Sequence, residues 1–254
     1  MPENYNGSEK DWGQQQTVAE GFVLEGVIVC DRYHDFLRHT LPHNKFLFDK
    51  LVVVTSPEDT QTRKLCEFYH VECVPTDKIR SRWKEFHKGE AINEGLNRLS
   101  KKGWVVHLDA DIWLPPQTRE LISRMDLDKS HIFGIDRYIV KGHDAWKEFT
   151  ENPKLQHENG TWVHANTFPM GTRVMFPAGR GYIPIGFFQL WHPGVSGVKK
   201  YPEGHTTAGR EDALFAFQWP RGMRGLLPEI IGYHLETEGG MGVNWGGRTS
   251  PEFK

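Results

Sequence analysis

Apolar positions along the chain fall into short, closely spaced blocks. Val27-Ile28-Val29-Cys30 is an uninterrupted run ended by Asp31, and Leu51-Val52-Val53-Val54 is a second, followed by Thr55-Ser56. Runs of this length without alternation, rich in β-branched residues, predict strands covered on both faces. Val71-Glu72-Cys73-Val74, closed by Pro75-Thr76-Asp77, predicts a third strand, and Trp104-Val105-Val106-His107-Leu108 a fourth. Between them the period becomes helical. Ser56 at N-cap, Pro57 at the first helical position and Glu58-Asp59 in the first turn predict a helix running to about Tyr69. Lys88, Ala91, Ile92, Gly95, Leu96 and Leu99 recur at helical spacing, which predicts an amphipathic helix over residues 85–100, closed by Lys101-Lys102-Gly103. A short helix through Leu121, Ile122 and Met125 and a strand from His131 to Val140 follow Pro115-Pro116. The polar and aromatic stretch up to Asn44 is assigned no element.

Strands alternating with helices at this spacing predict an α/β fold with a mainly parallel central sheet, helices on both faces, and ligands at the carboxyl ends of the strands. Residues 1–20 are polar, include Gln14-Gln15-Gln16 and show neither period, so they are expected to form a loose arm. Residues 21–254 are read as one domain. In it, 21–125 form a nucleotide-binding half and 126–254 an acceptor-side half, rich in Gly, Pro and aromatics and ending in a glycine-rich loop.

Charge narrows the class. Thirty-one Lys and Arg against thirty-three Asp and Glu give a net charge of -2, which provides no whole-protein field for a polyanion. The first twenty residues lack an apolar leader core, and no run approaches the roughly 18 apolar residues of a membrane span, so a soluble, cytoplasmic protein is expected. Cys30, Cys66 and Cys73 form no CxxC pair and are read as reduced thiols. Asn6-Gly7-Ser8 and Asn159-Gly160-Thr161 match the glycosylation pattern but mean nothing without export.

Three constellations carry candidate chemistry. Asp109-Ala110-Asp111 directly follows the fourth strand; two carboxylates at that spacing suit a divalent cation shared with a diphosphate, although such pairs also cap helices. Gly209-Arg210-Glu211-Asp212-Ala213-Leu214-Phe215 places two acids at a predicted helix start, where they favour the dipole or serve as a base. Gly232-Tyr233-His234-Leu235 precedes the glycine-rich Gly239–Gly247 segment, which reads either as a mobile lid or as plain flexibility. Arg80, Arg82, Lys84 and Lys88 form the densest basic stretch, and the Phe187-Phe188-Gln189-Leu190-Trp191 run is read as core. Gly204–Glu211 imitates a phosphate loop without its Lys-Ser/Thr, and HExxH, GxSxG and a strand-linked GxGxxG are all missing.

The ordered set of Asp31, Thr55-Ser56, Asp77, the helix Lys88-Gly89-Glu90-Ala91-Ile92-Asn93-Glu94-Gly95-Leu96, then Asp109-Ala110-Asp111 and Glu211-Asp212, resembles the GT-A glycosyltransferase fold, and most closely family 2-like members, some of bacteriophage type. The resemblance implies a Rossmann-like nucleotide-diphospho-sugar transferase with Thr55 and Asp77 lining the nucleoside pocket and Lys88 and Asn93 near the donor. It implies that Asp109-Ala110-Asp111 is the DxD motif, that His234 is the remaining ligand to Mn2+ or Mg2+, and that Asp212, with Glu211 as understudy, is the general base. A UDP-sugar is the expected donor and inversion the expected outcome. The opening strand departs from the family by ending Cys30-Asp31-Arg32-Tyr33. A sugar-nucleotide pyrophosphorylase and an inactive nucleotide-sugar-binding module remain as alternatives. The acceptor is open among small molecules, glycans, proteins and modified nucleic acid, a hydroxymethylated DNA base included.

Overall fold

The structure, a computed structural model, describes residues 18–80, 85–151, 174–176, 181–239 and 246–254. Its first half follows the predicted alternation: β1 (Leu24–Val29), α1 (His34–Asn44), β2 (Lys50–Thr55), α2 (Thr60–Phe68), β3 (Glu72–Pro75), α3 (Lys88–Leu96) and β4 (Trp104–Asp109). Next come β5 (Ile112–Trp113), α4 (Thr118–Arg124), β6 (Ile132–Lys141), α5 (Gly142–Glu151), the hairpin β7 (Val174–Phe176) and β8 (Gly181–Ile183), β9 (Phe188–Trp191), α6 (Pro193–Ser196), α7 (Glu211–Ala216) and β10 (Arg224–Glu236).

One sheet runs in the order β3-β2-β1-β4-β9-β6-β10-β5. β3, β2, β1 and β4 are mutually parallel, as are β6 and β10; β9 runs antiparallel between the two groups, and β5 closes the edge antiparallel to β10. The carboxyl ends of β1, β4, β6 and β10 and the start of β5 therefore share one rim. The β6–β10 register slips between Leu227 and Ile231, where Pro228 cannot donate to the ladder.

The predicted apolar runs are buried almost completely: Val27, Ile28, Val52, Val53, Val54, Val105 and Val106 have no exposed surface. One cluster packs α1, α2 and α4 on one face of the sheet, and a second packs α3 and α7 on the other. α3 lies close on its strands because Gly95 has no Cβ; one added there would stand 2.5 Å from Val27 Cγ1. A third cluster, aromatic, joins α1, β5, α5 and β10 to the chain's last residues through Phe36, Trp113, Trp146, Phe149, Tyr233 and Phe253.

Three expectations are corrected. The polar and aromatic stretch after Asp31 contains α1, whose Phe36, Leu37 and Leu41 face the core. α2 begins at Thr60 and is capped not by Ser56 but by Asp59, whose carboxylate accepts the Thr62 N–H at 3.0 Å. The helix expected over 85–100 is confined to Lys88–Leu96. Most of the expected loose arm, residues 1–17, lies outside the described residues, as do both glycosylation patterns, Arg82, Lys84 and residues 240–245 of the glycine-rich segment.

Half-buried imidazoles tie this packing to pH. His43 stacks on Trp113 and meets the Leu114 carbonyl oxygen at 2.7 Å, and burial pulls its ring down to about 4. His39, between Trp146 and Phe253, is pulled by burial to about 3. An unfolded histidine titrates near 6.5, so each ring's contribution is complete above that pH and is lost as pH falls through the folded value. Other groups add their own slopes, so a comparison isolates one ring: His43→Gln is expected to remove about 1–2 kcal/mol of the stability change between pH 7 and pH 5. Urea midpoints of both proteins at the two pH values check it.

Candidate active site

The rim gathers residues from both halves of the chain. Asp109 is the last residue of β4, and the turn that follows delivers Asp111 to the start of β5. Because Ile112 pairs with His234 across the β5–β10 ladder, Asp111 reaches that histidine: its Oδ2 lies 3.2 Å from His234 Nε2, and the Leu235 N–H donates to the Asp111 carbonyl at 2.9 Å. Asp111 Oδ1 and His234 Nδ1 are buried without hydrogen-bond partners among the described residues. On the same face of β10, Glu236 places Oε1 3.8 Å from His234 Nδ1, and its Oε2 is also buried without a partner. Burial would raise the Asp111 carboxyl, but His234 beside it and Arg137 nearby outweigh that and hold it below the usual range.

An oxygen and an imidazole nitrogen side by side, each with an unused buried atom, form a donor set that suits Mn2+, or Mg2+ with more of its shell from water and phosphate. Among the described residues no three His, Cys, Asp or Glu side chains form a cage. Asp109, the further ligand considered beside Asp111 and His234, has its carboxylate on the Lys88 ammonium at 2.6 Å. Lys88 opens α3 and is mostly buried. Burial would lower its ammonium, but Asp109, Asp212 and Glu211 together keep it raised. The Asp109 carboxyl is raised by burial in spite of Lys88, with Asp111 and Asp212 adding to the effect. Behind it, the His107 ring, kept neutral by burial, stands 3.8 Å from Asp109 and 3.1 Å from the Tyr201 hydroxyl, which also donates to Gln189.

Glu211 and Asp212 open α7 as predicted, and the two differ sharply. Glu211 is 1% exposed and neither carboxyl oxygen has a hydrogen-bond partner among the described residues. It is packed against Gly89, where an added Cβ would come 2.1 Å from the Pro202 carbonyl oxygen. Burial pushes its carboxyl up to about 8, with Glu90 adding to the rise against the pull of Lys88. Asp212 is partly exposed, and its Oδ2 accepts the Gly186 N–H at 2.7 Å.

The remaining expected residues have structural partners. Thr55 has no exposed surface, and its hydroxyl donates to Asp59 at 3.3 Å, so it holds the β2–α2 turn instead of facing a cleft. Asn93 brackets the loop after α6, donating to the Tyr201 carbonyl and to Glu203 and accepting the Tyr201 N–H at 2.8 Å. Asp77 is exposed at the start of a short 3-10 turn capped by Thr76. Asp31 instead joins Ser56 to Arg80: its Oδ1 accepts the Ser56 hydroxyl at 2.6 Å and its Oδ2 accepts Arg80 Nε at 2.7 Å. Trp191 has no exposed surface, as the core reading of its run expects.

Two rim residues, Arg137 and Glu236, have no motif to mark them. The signal for Arg137 is a charged pair, Asp136-Arg137, within the largely apolar β6; Glu236 repeats the strand period two residues after His234. Tyr33, at the departing end of the opening strand, has its phenol raised by burial and by Asp111, and Arg248, ion-paired with Asp35, lies over its ring.

A family model described as Glycosyl transferase family 2 matches residues 32–185. No curated protein sequence matches the chain. Among solved structures, glucosyl-3-phosphoglycerate synthase from Mycobacterium tuberculosis in complex with phosphoglyceric acid is similar at 12% identity and a TM-score of 0.48, over 88% of this chain and 74% of that one. A mycobacterial protein is similar at 14% identity and a TM-score of 0.45, over 85% of this chain and 66% of its own. For mannosyl-3-phosphoglycerate synthase from Rubrobacter xylanophilus the values are 15% and 0.35, over 46% of this chain and 41% of its own. The chain thus spans less than two thirds of the length of the last two.

Proposed function

We propose that this chain, which belongs to glycosyl transferase family 2, moves a sugar from a nucleotide-diphosphate donor to an acceptor hydroxyl in a metal-dependent reaction that inverts the anomeric carbon. The observation that carries the reading is the contact between Asp111 and His234, separated by over a hundred residues of sequence yet 3.2 Å apart on one rim with Lys88 and Asp212.

Asp111 and His234 would hold Mn2+ or Mg2+, and Asp109 stands behind them as the partner of Lys88. A divalent ion bound there supplies positive charge to the diphosphate as it leaves. Lys88, fixed by Asp109, adds a second charge preorganised in a low-dielectric setting, where it counts for more than in water. Asp212 takes the acceptor proton, its carboxylate fixed by the Gly186 N–H donating to Oδ2. Glu211, 1% exposed and pushed up to about 8 by burial, is the less accessible of the two acids, so the base role goes to Asp212. With Asp212 acting as base and not as nucleophile, the transfer is a direct displacement, hence an inversion.

The test is a nucleotide-sugar panel, UDP-sugars first, read by nucleoside-diphosphate release with Mn2+ and with chelator. Manganese is expected to raise donor hydrolysis at least about tenfold over the chelated protein. Equal rates in both conditions would remove the metal from the scheme, and pyrophosphate formed from a sugar phosphate and a nucleoside triphosphate would assign a pyrophosphorylase instead.

A further inference from the structure

Arg137 has no part in the transfer as derived above, yet it stands at its centre. It interrupts the apolar β6, and in the β6–β10 register it lies opposite Gly232, with Ile139 opposite His234. Side chains of residues paired across a ladder share a face, so Arg137 points to the side of the sheet that carries His234 and Glu236, and Gly232 puts no side chain beside it. Its guanidinium lies 4.4 Å over the Phe187 ring, and Phe187 follows Gly186, whose N–H holds Asp212. Nε is buried with no hydrogen-bond partner among the described residues, while the residue as a whole keeps some exposure.

Four carboxylates, Asp111, Asp109, Glu236 and Asp212, impose their fields on this guanidinium. None forms an ion pair with it among the described residues. Asp111 faces His234, Asp109 takes Lys88, and Asp212 accepts from Gly186. A guanidinium whose Nε is buried without a partner is costly, and its planar fork matches the oxygens of a carboxylate or phosphate. The position selects which substrate supplies them. A base must lie within hydrogen-bond reach of the hydroxyl it deprotonates, and Arg137 is stacked on the segment that pins that base.

Resting on the transferase reading, we infer that Arg137 grips an anionic group, carboxylate or phosphate, on the acceptor, so that the acceptor is a hydroxylated acid or sugar phosphate and not a neutral sugar. The hydroxyl of such a molecule reaches Asp212 while its charge meets the guanidinium. Arg137 is then a specificity-determining residue.

The experiment uses matched pairs: glycerate against glycerol, galacturonate against galactose, and glucose 6-phosphate against glucose. Each is titrated into the full chain with saturating UDP and Mn2+, and UDP affinity is measured separately. At least one charged member is expected to bind about ten- to a hundredfold tighter than its neutral match. Arg137→Gln should erase that preference and change UDP affinity less than about threefold, and Arg137→Lys should keep part of it. The inference is overturned if no charged member is preferred, if the preference survives in Arg137→Gln, or if Arg137→Gln weakens UDP instead, which would give the guanidinium to the diphosphate. A wild-type protein that binds no nucleotide diphosphate with Mn2+ fails at the transferase reading itself, and the inference falls with it.

Discussion

Asp111→Asn is expected to lower metal-dependent transfer by about 10²–10⁴-fold while the protein stays folded. The exchange keeps shape and removes one charge. Asp111 is ionised at neutral pH, because His234 and Arg137 outweigh its burial. Its Oδ2 faces His234 at 3.2 Å and its Oδ1 is buried without a hydrogen-bond partner among the described residues. In the amide, one of these positions becomes an NH2 group, which cannot ligate a cation, and the other becomes a neutral oxygen. Stability should fall modestly, since His234 and Arg137 favour the ionised carboxylate in the fold, while the backbone bond from Leu235 to Asp111 is untouched. The checks are turnover against Mn2+ concentration and Mn2+ affinity in the presence of UDP. On the proposed assignment of both residues to one ion, Asp111→Asn with His234→Asn should cost little more than either alone. Full manganese-dependent turnover in Asp111→Asn would dismiss the metal assignment.

What could be read without coordinates follows from how local each signal is. β1, β2 and β4 announce themselves as apolar runs because both of their faces are covered, and the buried valines of those strands show why. α1 was missed because its core face rests on three residues, Phe36, Leu37 and Leu41, scattered among His, Asp, Arg and Pro42, so the helical period is drowned by polar positions. The cap of α2 was misplaced for a local reason too: Ser56 has the right chemistry, but it is recruited by Asp31, leaving Asp59 to receive the first free N–H groups.

The site was legible where chemistry is carried by short motifs and illegible where it is carried by the sheet. Asp109-Ala110-Asp111 and Glu211-Asp212 stand out as tripeptide and dipeptide, whereas the neighbourhood of Asp111 and His234 exists only because β5 folds back on β10. The division of labour inside each acid pair was out of reach for the same reason. Asp109 and Asp111 are two residues apart, but a strand end and a turn send them to different partners, Lys88 and His234. Asn93 and Thr55 have the expected spacing from the motif, but spacing does not show that their polar atoms also close a loop and a turn in the core.

Asp212→Asn is expected to depress turnover by about 10²–10⁴-fold, the usual worth of a positioned acid–base group, with UDP affinity unchanged. Asp212 differs from its neighbour in the way a base requires. It is partly exposed, whereas Glu211 is 1% exposed and its carboxyl is pushed by burial up to about 8, so Glu211 is the less accessible of the two acids. In the asparagine variant the amide oxygen can keep the Gly186 N–H, which preserves the start of α7 and leaves an NH2 group where the acceptor hydroxyl arrives. That group donates a hydrogen bond and cannot take a proton. The signature is a fall in kcat with acceptor present, accompanied by little change in manganese-dependent UDP binding. Glu211→Gln serves as the internal comparison: an amide in place of the buried acid should leave kcat within about tenfold of wild type. If Glu211→Gln were the crippled variant and Asp212→Asn the active one, the base would have to be reassigned and Glu211 would need a route to the acceptor that its burial now denies it.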